Sequence, residues 1–389
     1  MLQLTLVILA LLCSTVAAFM TLWIVVPPLH YRLFLVAVGS SEWSLWFGLL
    51  GLLGALLGLL TLVMGSRLPS FTALILGLVA VALAMVPPLQ AWGVAQENGI
   101  QLSLRRYFSG LTNKTSRSAP QTVTYATIDG KALDLDIYLP EDSRTERPAI
   151  IIIHGGSWSG GVKSDFPWWN HWLTEHGFAV FDIEYRLAPQ PNWQTATADV
   201  KCAIGWVKRN ASRYGVDPER VALLGRSAGG HLALLAAYTS NDSALPPSCE
   251  ATDTSVRAVI SIYGATDLNW GYTHPTNLRV HDGPGAIRHF IGGDPQTAAP
   301  IFKTASPVTH VRPETTPPTL LLHGGHDQLV NANHMRLLSQ GLHAAGVPHR
   351  TVLIPYAQHG FDYNLNGWGS QIVQPIMLEF LETHLKRPR

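Results

Sequence analysis

Residues 220–230 read Arg-Val-Ala-Leu-Leu-Gly-Arg-Ser-Ala-Gly-Gly, an apolar run that ends in Gly225-Arg226-Ser227-Ala228-Gly229 and continues into an apolar stretch over 228–239. The run reads as a strand, the stretch after it as a helix, and the G-x-S-x-G pentapeptide as the sharp turn between them. A serine on such a turn is forced into a strained backbone, and glycines two positions away on either side relieve the crowding of its Cβ. The strain exposes Oγ, and the positive end of the following helix points to where an oxyanion would form. Ser227 is therefore the candidate nucleophile.

Reading outward, the remaining parts of a nucleophilic site follow in one order. Pro148-Ala-Ile-Ile-Ile-Ile is a buried strand that runs into His154-Gly155-Gly156-Ser157-Trp158, a loop whose backbone N–H groups can approach a carbonyl closely. Thr319-Leu-Leu-Leu-His-Gly-Gly-His-Asp327 sets an aspartate just past another apolar strand, and Ile354-Pro-Tyr-Ala-Gln-His359 sets a histidine after the strand 350–354. Asp267, after Tyr263-Gly-Ala-Thr, is the rival acid. Asp327 is preferred because it follows the strand that precedes the histidine's strand. The order Ser, Asp, His differs from that of chymotrypsin and subtilisin.

A hairpin (122–127, a turn at Asp129-Gly130, then 132–139) precedes strands predicted at 148–153, 178–185, 220–224, 257–263, 319–323 and 349–354. Helices are predicted at 193–210, 228–239, 332–345 and 372–385. Such alternation predicts an α/β fold, a mostly parallel sheet with helices on both faces, with functional residues on loops after the carboxyl ends of strands. His154 and His231 read as structural, His323 and His326 as shaping the turn before Asp327, and Glu184 as the ion-pair partner of Arg186.

His154-Gly-Gly-Ser-Trp, Glu184-Tyr-Arg-Leu-Ala-Pro, Gly225-Arg-Ser-Ala-Gly-Gly-His, Tyr263-Gly-Ala-Thr-Asp, His323-Gly-Gly-His-Asp and His359-Gly-Phe-Asp together resemble the α/β-hydrolase superfamily, and within it the hormone-sensitive-lipase-like and BD-FAE-like esterases. The resemblance covers about residues 119–389. It departs at Ser157, where the family usually has a third glycine, and at Arg226, where it usually has an acid. It implies a catalytic triad of Ser227, His359 and Asp327, an oxyanion hole from the N–H groups of Gly156, Ser157 and Ala228, an acyl-enzyme and no cofactor. Carboxylic esters, short-chain or acetyl, are the expected substrates. Amides (formamidase or peptidase chemistry) are the first alternative, and a non-catalytic membrane sensor or interaction protein is another. Trp158 and Trp193 are candidate substrate contacts, with Trp168, Trp169, Trp172, Trp270 and Tyr272 as further aromatics in the same loops.

The first ninety residues belong to a different class. Leu2–Val26, Trp43–Met64 and Phe71–Leu89 are apolar runs near the roughly 20 residues that cross a bilayer, separated by only Arg32, Glu42 and Arg67. About three transmembrane helices are expected in residues 1–92, followed by a linker at 93–118 with a short interfacial helix and Arg105, Arg106, Lys114 and Arg117. Pro27-Pro28 and Pro87-Pro88 are expected to end the first and third spans, and the segment 29–38 is too short to cross. The hydrolase part is expected to be a soluble, self-sufficient unit from 119 onward. Gly48, Gly51, Gly54 and Gly58 give the second span a small-residue face suited to close helix contact. The loop arginines, three against one, predict a multi-pass protein of a bacterial inner membrane with the hydrolase facing the cytoplasm.

Composition fits this division, with 47% hydrophobic and 14% charged residues. A net charge of +1 gives no electrostatic case for nucleic acid. Cys13 lies within the first span, whereas Cys202 and Cys249 either bridge or remain thiols. Neither a metal-ligand spacing nor a phosphate loop is present, and the partners expected are a small or lipid-like ester and a membrane. Nothing in the chain sets an oligomeric state.

Overall fold

The computed structural model describes residues 1–110, 119–142, 145–188 and 191–385. Lys114, Arg117 and the last residue of Glu184-Tyr-Arg-Leu-Ala-Pro189 lie outside them. Eight strands form one sheet: β1 (Gln121–Ile128), β2 (Lys131–Tyr138), β3 (Arg147–Ile153), β4 (Ala179–Ile183), β5 (Val216–Arg226), β6 (Ala258–Ile262), β7 (Thr319–Gly324) and β8 (His349–Ile354). Their order is β1-β2-β4-β3-β5-β6-β7-β8, antiparallel at β1/β2 and β2/β4 and parallel elsewhere. Alternate residues feed two cores, because successive side chains leave a strand on opposite faces. Ile151, Leu223 and Leu321 face one core, and Ile150, Ile152, Leu224 and Leu322 the other. Both faces being covered explains why these strands read as continuous apolar runs.

Ahead of the sheet come α1 (Leu2–Leu22), α2 (Tyr31–Glu42), α3 (Ser44–Val63), α4 (Leu68–Ala84), α5 (Val86–Glu97) and α6 (Leu104–Ser109). Three candidate spans are long and apolar enough to cross a membrane: Leu2–Leu22, Ser44–Val63 and Leu68–Glu97. Their packing is small side in, large side out. Ala10, Ser14, Ala17, Gly51, Gly54, Ala73, Gly77 and Ala80 are buried between the helices, while Ile8, Leu12, Leu56, Leu59, Phe71 and Leu78 are exposed. A Cβ on Gly51, Gly54 or Gly77 would collide with the neighbouring helix, so the small residues set the helix separation.

Three expectations are corrected here. The first helix stops at Leu22, not at Pro27-Pro28, because the N–H groups of Val25 and Val26 fold back onto the Leu22 carbonyl as a closing turn. Pro87-Pro88 do not end the third span. They occupy the first turn of α5, where a missing N–H costs nothing, and the path continues to Glu97. Nor is 93–110 a free linker. Ala91, Val94 and Tyr107 enter the core under one face of the sheet, and Tyr107 stacks on Trp368 at 4.4 Å. Helix α2, only 12 residues long, presents the buried carboxyl of Glu42 to Gly367, where a Cβ would collide with it.

The helices that cover the sheet are α7 (Pro167–Glu175), α8 (Trp193–Arg209), α9 (Ala228–Tyr238), α10 (Leu268–Thr273), α11 (Gly283–Ile291), α12 (Ala299–Thr304), α13 (Asn333–Ala344) and α14 (Trp368–His384). Cys202 of α8 and Cys249 are joined in a disulfide.

Candidate active site

Strand β5 ends at Arg226 and α9 begins at Ala228, so Ser227 is the whole connection. Its φ of 55° and ψ of −120° lie far from the conformations an L-residue prefers. Substituting Gly225 would drive a Cβ into the backbone of Gly229, and a Cβ on Gly229 would strike the carbonyl of Ile153. The turn is held from behind by the Ser227 N–H, which donates to Ile262 O at 2.9 Å. Among the described residues no hydrogen bond engages Ser227 Oγ, which lines a cavity of about 50 Å³ with Ser157, Trp158, Ala228, His274, His281, Leu329, Val330 and His334.

The loop after β3 forms one wall. Gly156, Ser157 and Trp158 have φ values of 110°, 52° and 60°, three successive residues on the left-handed side. Such a turn aims consecutive N–H groups into one concavity. Among the described residues, the N–H groups of Gly156 and Ser157 find no acceptor in the protein, and Ala228 is the first residue of its helix. The loop is pinned by Ala188 N–H and Asn192 Nδ2, which both donate to Trp158 O. His154 donates from Nδ1 to Gly155 O at 2.7 Å and stacks on Tyr185 at 4.4 Å, the structural role its position suggested.

Asp327 and His359 meet from the loops after β7 and β8. His359 Nδ1 lies 2.7 Å from Asp327 Oδ2. The other carboxylate oxygen accepts from the N–H groups of Leu329 and Val330 at 2.8 and 2.9 Å, and His323 Nε2 stands 3.3 Å from Oδ2. Burial alone would raise the Asp327 pKa. The adjacent His359 and the hydrogen bonds from both histidines outweigh it and hold the carboxyl well below the usual carboxylate range. Among the described residues the rival Asp267 bonds neither Asp327 nor His359; it caps α10, accepting from Trp270 N–H at 2.9 Å.

Of the two tryptophans expected at the substrate, only Trp158 reaches the cavity. Its indole stacks on Phe290 at 4.4 Å and donates to His231 Nδ1 at 3.2 Å. His231 Nε2 is then left to donate to Ala305 O at 2.8 Å, and burial lowers its pKa to about 4, so it stays neutral. Trp193 opens α8 and packs in the core away from the cavity, because helix α8 turns that ring inward. Trp270 and Tyr272 likewise lie outside the lining, with only Gly271 between them touching it. Glu184 faces Lys163 at 3.7 Å, whereas Arg186 is claimed by Asp199 at 2.7 Å, which corrects the expected Glu184–Arg186 pair.

Reading the sequence missed the partner of Arg226. Its guanidinium is buried over the Phe166 ring at 4.6 Å and bonds Asp362 Oδ2 at 2.5 Å. Asp362 Oδ1 accepts from Tyr263 OH at 2.6 Å, and the Tyr263 ring lies 4.2 Å from that of His359. The signal was available, since a buried arginine in the elbow requires a buried carboxylate and Asp362 follows His359 by three residues. His281 and His334 were also missed as cavity-lining groups, sitting in stretches without a strand or glycine signal.

With this geometry in view, the comparison with known proteins is specific. The family model described as BD-FAE matches residues 135–342, more than half of the chain. The chain belongs to the BD-FAE family. Esterase LipQ of Mycobacterium tuberculosis is 36% identical over 234 residues, covering 59% of this chain and 54% of LipQ. The probable carboxylic ester hydrolase LipM of the same organism is 36% identical over 241 residues, covering 60% of this chain and 54% of LipM. The chain thus spans about half the length of these curated relatives. Among solved structures, a thermophilic esterase from Thermogutta terrifontis with propionate bound is similar, with a TM-score of 0.56 and 26% identity. The match covers 72% of this chain and all of the esterase. The α/β-hydrolase fold expected from the motifs is thereby established for this BD-FAE member.

Proposed function

We propose that the chain is a membrane-anchored serine hydrolase of carboxylic esters with small acyl groups. The observation that carries the reading is the strained Ser227, open to a cavity that Ser157 also lines, accompanied by an Asp327–His359 pair on the loops after β7 and β8 and by N–H groups without an internal acceptor at 156 and 157 among the described residues. His359 takes the proton of Ser227 Oγ as the oxygen adds to the ester carbonyl, and returns a proton to the leaving alcohol. Asp327, ionised at neutral pH, orients the ring through Nδ1 and stabilises it as imidazolium. The N–H groups of Gly156, Ser157 and Ala228 receive the oxyanion, each donor contributing roughly 3–4 kcal/mol by analogy with other enzymes. Water, deprotonated by His359, then releases the acid and restores Ser227. A cavity of about 50 Å³ favours acetyl or propionyl over long acyl chains.

The inverted packing of α1, α3 and α4, large apolar residues outward and small ones inward, supports three spans. Three crossings put the N-terminus opposite the hydrolase. Arg106, counted above as a loop charge, is spent on Asn366, Leu365 O and Gln374, which leaves Arg32 and Arg105 against Arg67. The Cys202–Cys249 bridge belongs in an oxidising compartment. We therefore place the hydrolase on the oxidising face, in place of the cytoplasmic one. Alkaline phosphatase fused at Arg389 should be active in a bacterial host; fluorescence of green fluorescent protein fused there instead would reverse the orientation.

The test of the activity is hydrolysis of p-nitrophenyl esters of graded chain length by the full chain, with Ser227→Ala as control. Acetate and propionate should turn over fastest, and a fluorophosphonate should label the wild type alone. Equal turnover by both proteins, or turnover of anilides without esters, would refute the reading.

A further inference from the structure

The loop between α1 and α2 touches the wall of the candidate active site. Asn277 donates from Nδ2 to Pro28 O at 2.9 Å and to Gln328 Oε1 at 3.0 Å. His326, next to Asp327, sets Nδ1 3.3 Å from Ile24 O. Asn277 also holds the turn that delivers His281 to the cavity, its carbonyl accepting from the N–H groups of Val280 and His281 at 2.9 and 3.0 Å. Residues 274–276 and 281 line that cavity, so the loop after the first candidate span and one wall of the cleft are a single hydrogen-bonded unit.

The surface around this unit is apolar. Val25, Val26, Leu29 and Leu278 are exposed, Leu278 at 60%, beside the Pro28–Asn277 contact. Exposed Arg32 and Arg279 flank them. An apolar rim bordered by arginines suits the boundary between acyl chains and phosphates, where the rim enters hydrocarbon and the guanidinium groups stay with the headgroups. The cleft has room for a small group only, whereas the exposed side chains of the rim form an open apolar surface.

From this we infer that the rim Val25–Leu29/Leu278 admits a bilayer-dissolved ester of a small acid and a long-chain alcohol, with the acyl group in the cavity and the alcohol chain left in the membrane. The inference rests on the ester-hydrolase reading above and names its substrate class. Hydrolysis consumes one water and releases the short acid to the aqueous side, while the alcohol remains in the lipid.

The experiment uses the full chain reconstituted in phosphatidylcholine vesicles. Acetate release is measured from hexadecyl acetate dissolved in the vesicles and from soluble p-nitrophenyl acetate. Both should turn over. Leu278→Asp should lower the ratio of the first rate to the second about tenfold, the cost of removing one leucine side chain from an apolar surface, while Leu278→Met should keep it. No acetate from either ester would defeat the hydrolase reading itself. Turnover of p-nitrophenyl acetate without hexadecyl acetate, or an unchanged ratio in Leu278→Asp, would defeat the inference alone. Turnover of vesicle-dissolved methyl palmitate in preference to hexadecyl acetate would overturn the assignment of the long chain to the alcohol.

Discussion

Arg226 and Asp362 bond at 2.5 Å with both side chains buried, one from the residue before Ser227 and the other three residues beyond His359. The pair ties the turn of the candidate nucleophile to the loop of its candidate base. Desolvation acts against the guanidinium, yet Asp362 and the nearby Tyr263 keep it charged, its pKa raised. Losing one partner strands the other in the core, which typically costs about 3–5 kcal/mol. Arg226→Met should therefore unfold at markedly lower denaturant, and adding Asp362→Leu should recover most of the loss. A chemical-denaturation series on the single and double variants would read this, and two additive losses would contradict it.

Asp327 and Asp267 offer a direct discrimination. Asp327→Asn removes the charge beside His359 and should lower kcat by roughly 10⁴-fold with KM little changed. Asp267→Asn keeps a capping oxygen for Trp270 N–H and should stay within about twofold on both. Steady-state kinetics on p-nitrophenyl acetate would decide, and a large loss in Asp267→Asn alone would exchange the two acids.

Asp182 makes stability depend on pH. It lies on β4 opposite Asp136 of β2, with Oδ2 accepting from Asn170 at 2.8 Å. Burial pushes its pKa up to about 7, against about 3.9 in an unfolded chain. A carboxyl whose folded pKa is raised stabilises the fold fully below its unfolded pKa. That contribution is lost as pH rises toward 7, by at most roughly 4 kcal/mol. The variant Asp182→Asn should flatten the decline between pH 4 and 7 measured by thermal melting; a slope equal to that of wild type would refute the assignment.

Truncation gives a different outcome from the one the motifs suggest. A chain starting at Ala119 loses Ala91, Val94 and Tyr107 and uncovers Trp368 and neighbouring core residues. It should aggregate or melt well below one that starts at Val86 and retains α5 and α6. Equal melting temperatures and equal solubility of the two would argue that the segment is dispensable.

The sheet was legible because its central strands β3, β5, β6 and β7 carry apolar runs followed by glycine-marked motifs, and the β1–β2 hairpin is marked by Asp129-Gly130. Ser227, Asp327 and His359 sit where that periodicity places them. Trp193 was not, because periodicity assigns a residue to a helix end without saying which way its ring turns. The Arg226–Asp362 pair spans 136 residues of sequence, and only the parallel register of β5 through β8 brings its halves together. The ends of the first and third apolar helices were misread because proline forbids helix only behind it: in α5 it starts a turn, and before Pro27 the chain had already stopped.

The contact of α5 and α6 with α14 also fixes an order of birth. Ser103 N–H donates to Gln371 Oε1 at 2.8 Å across 268 residues, so this early segment of the hydrolase leaves the ribosome long before its partner. Until α14 is made, Tyr107 has no ring to stack on and one face of the sheet stays open. Contacts so distant in sequence close slowly and leave apolar surface uncovered meanwhile. With α1, α3 and α4 spanning a bilayer as proposed above, these helices are complete by then and hold the waiting segment at the bilayer surface, where an uncovered apolar face is sheltered from other nascent chains.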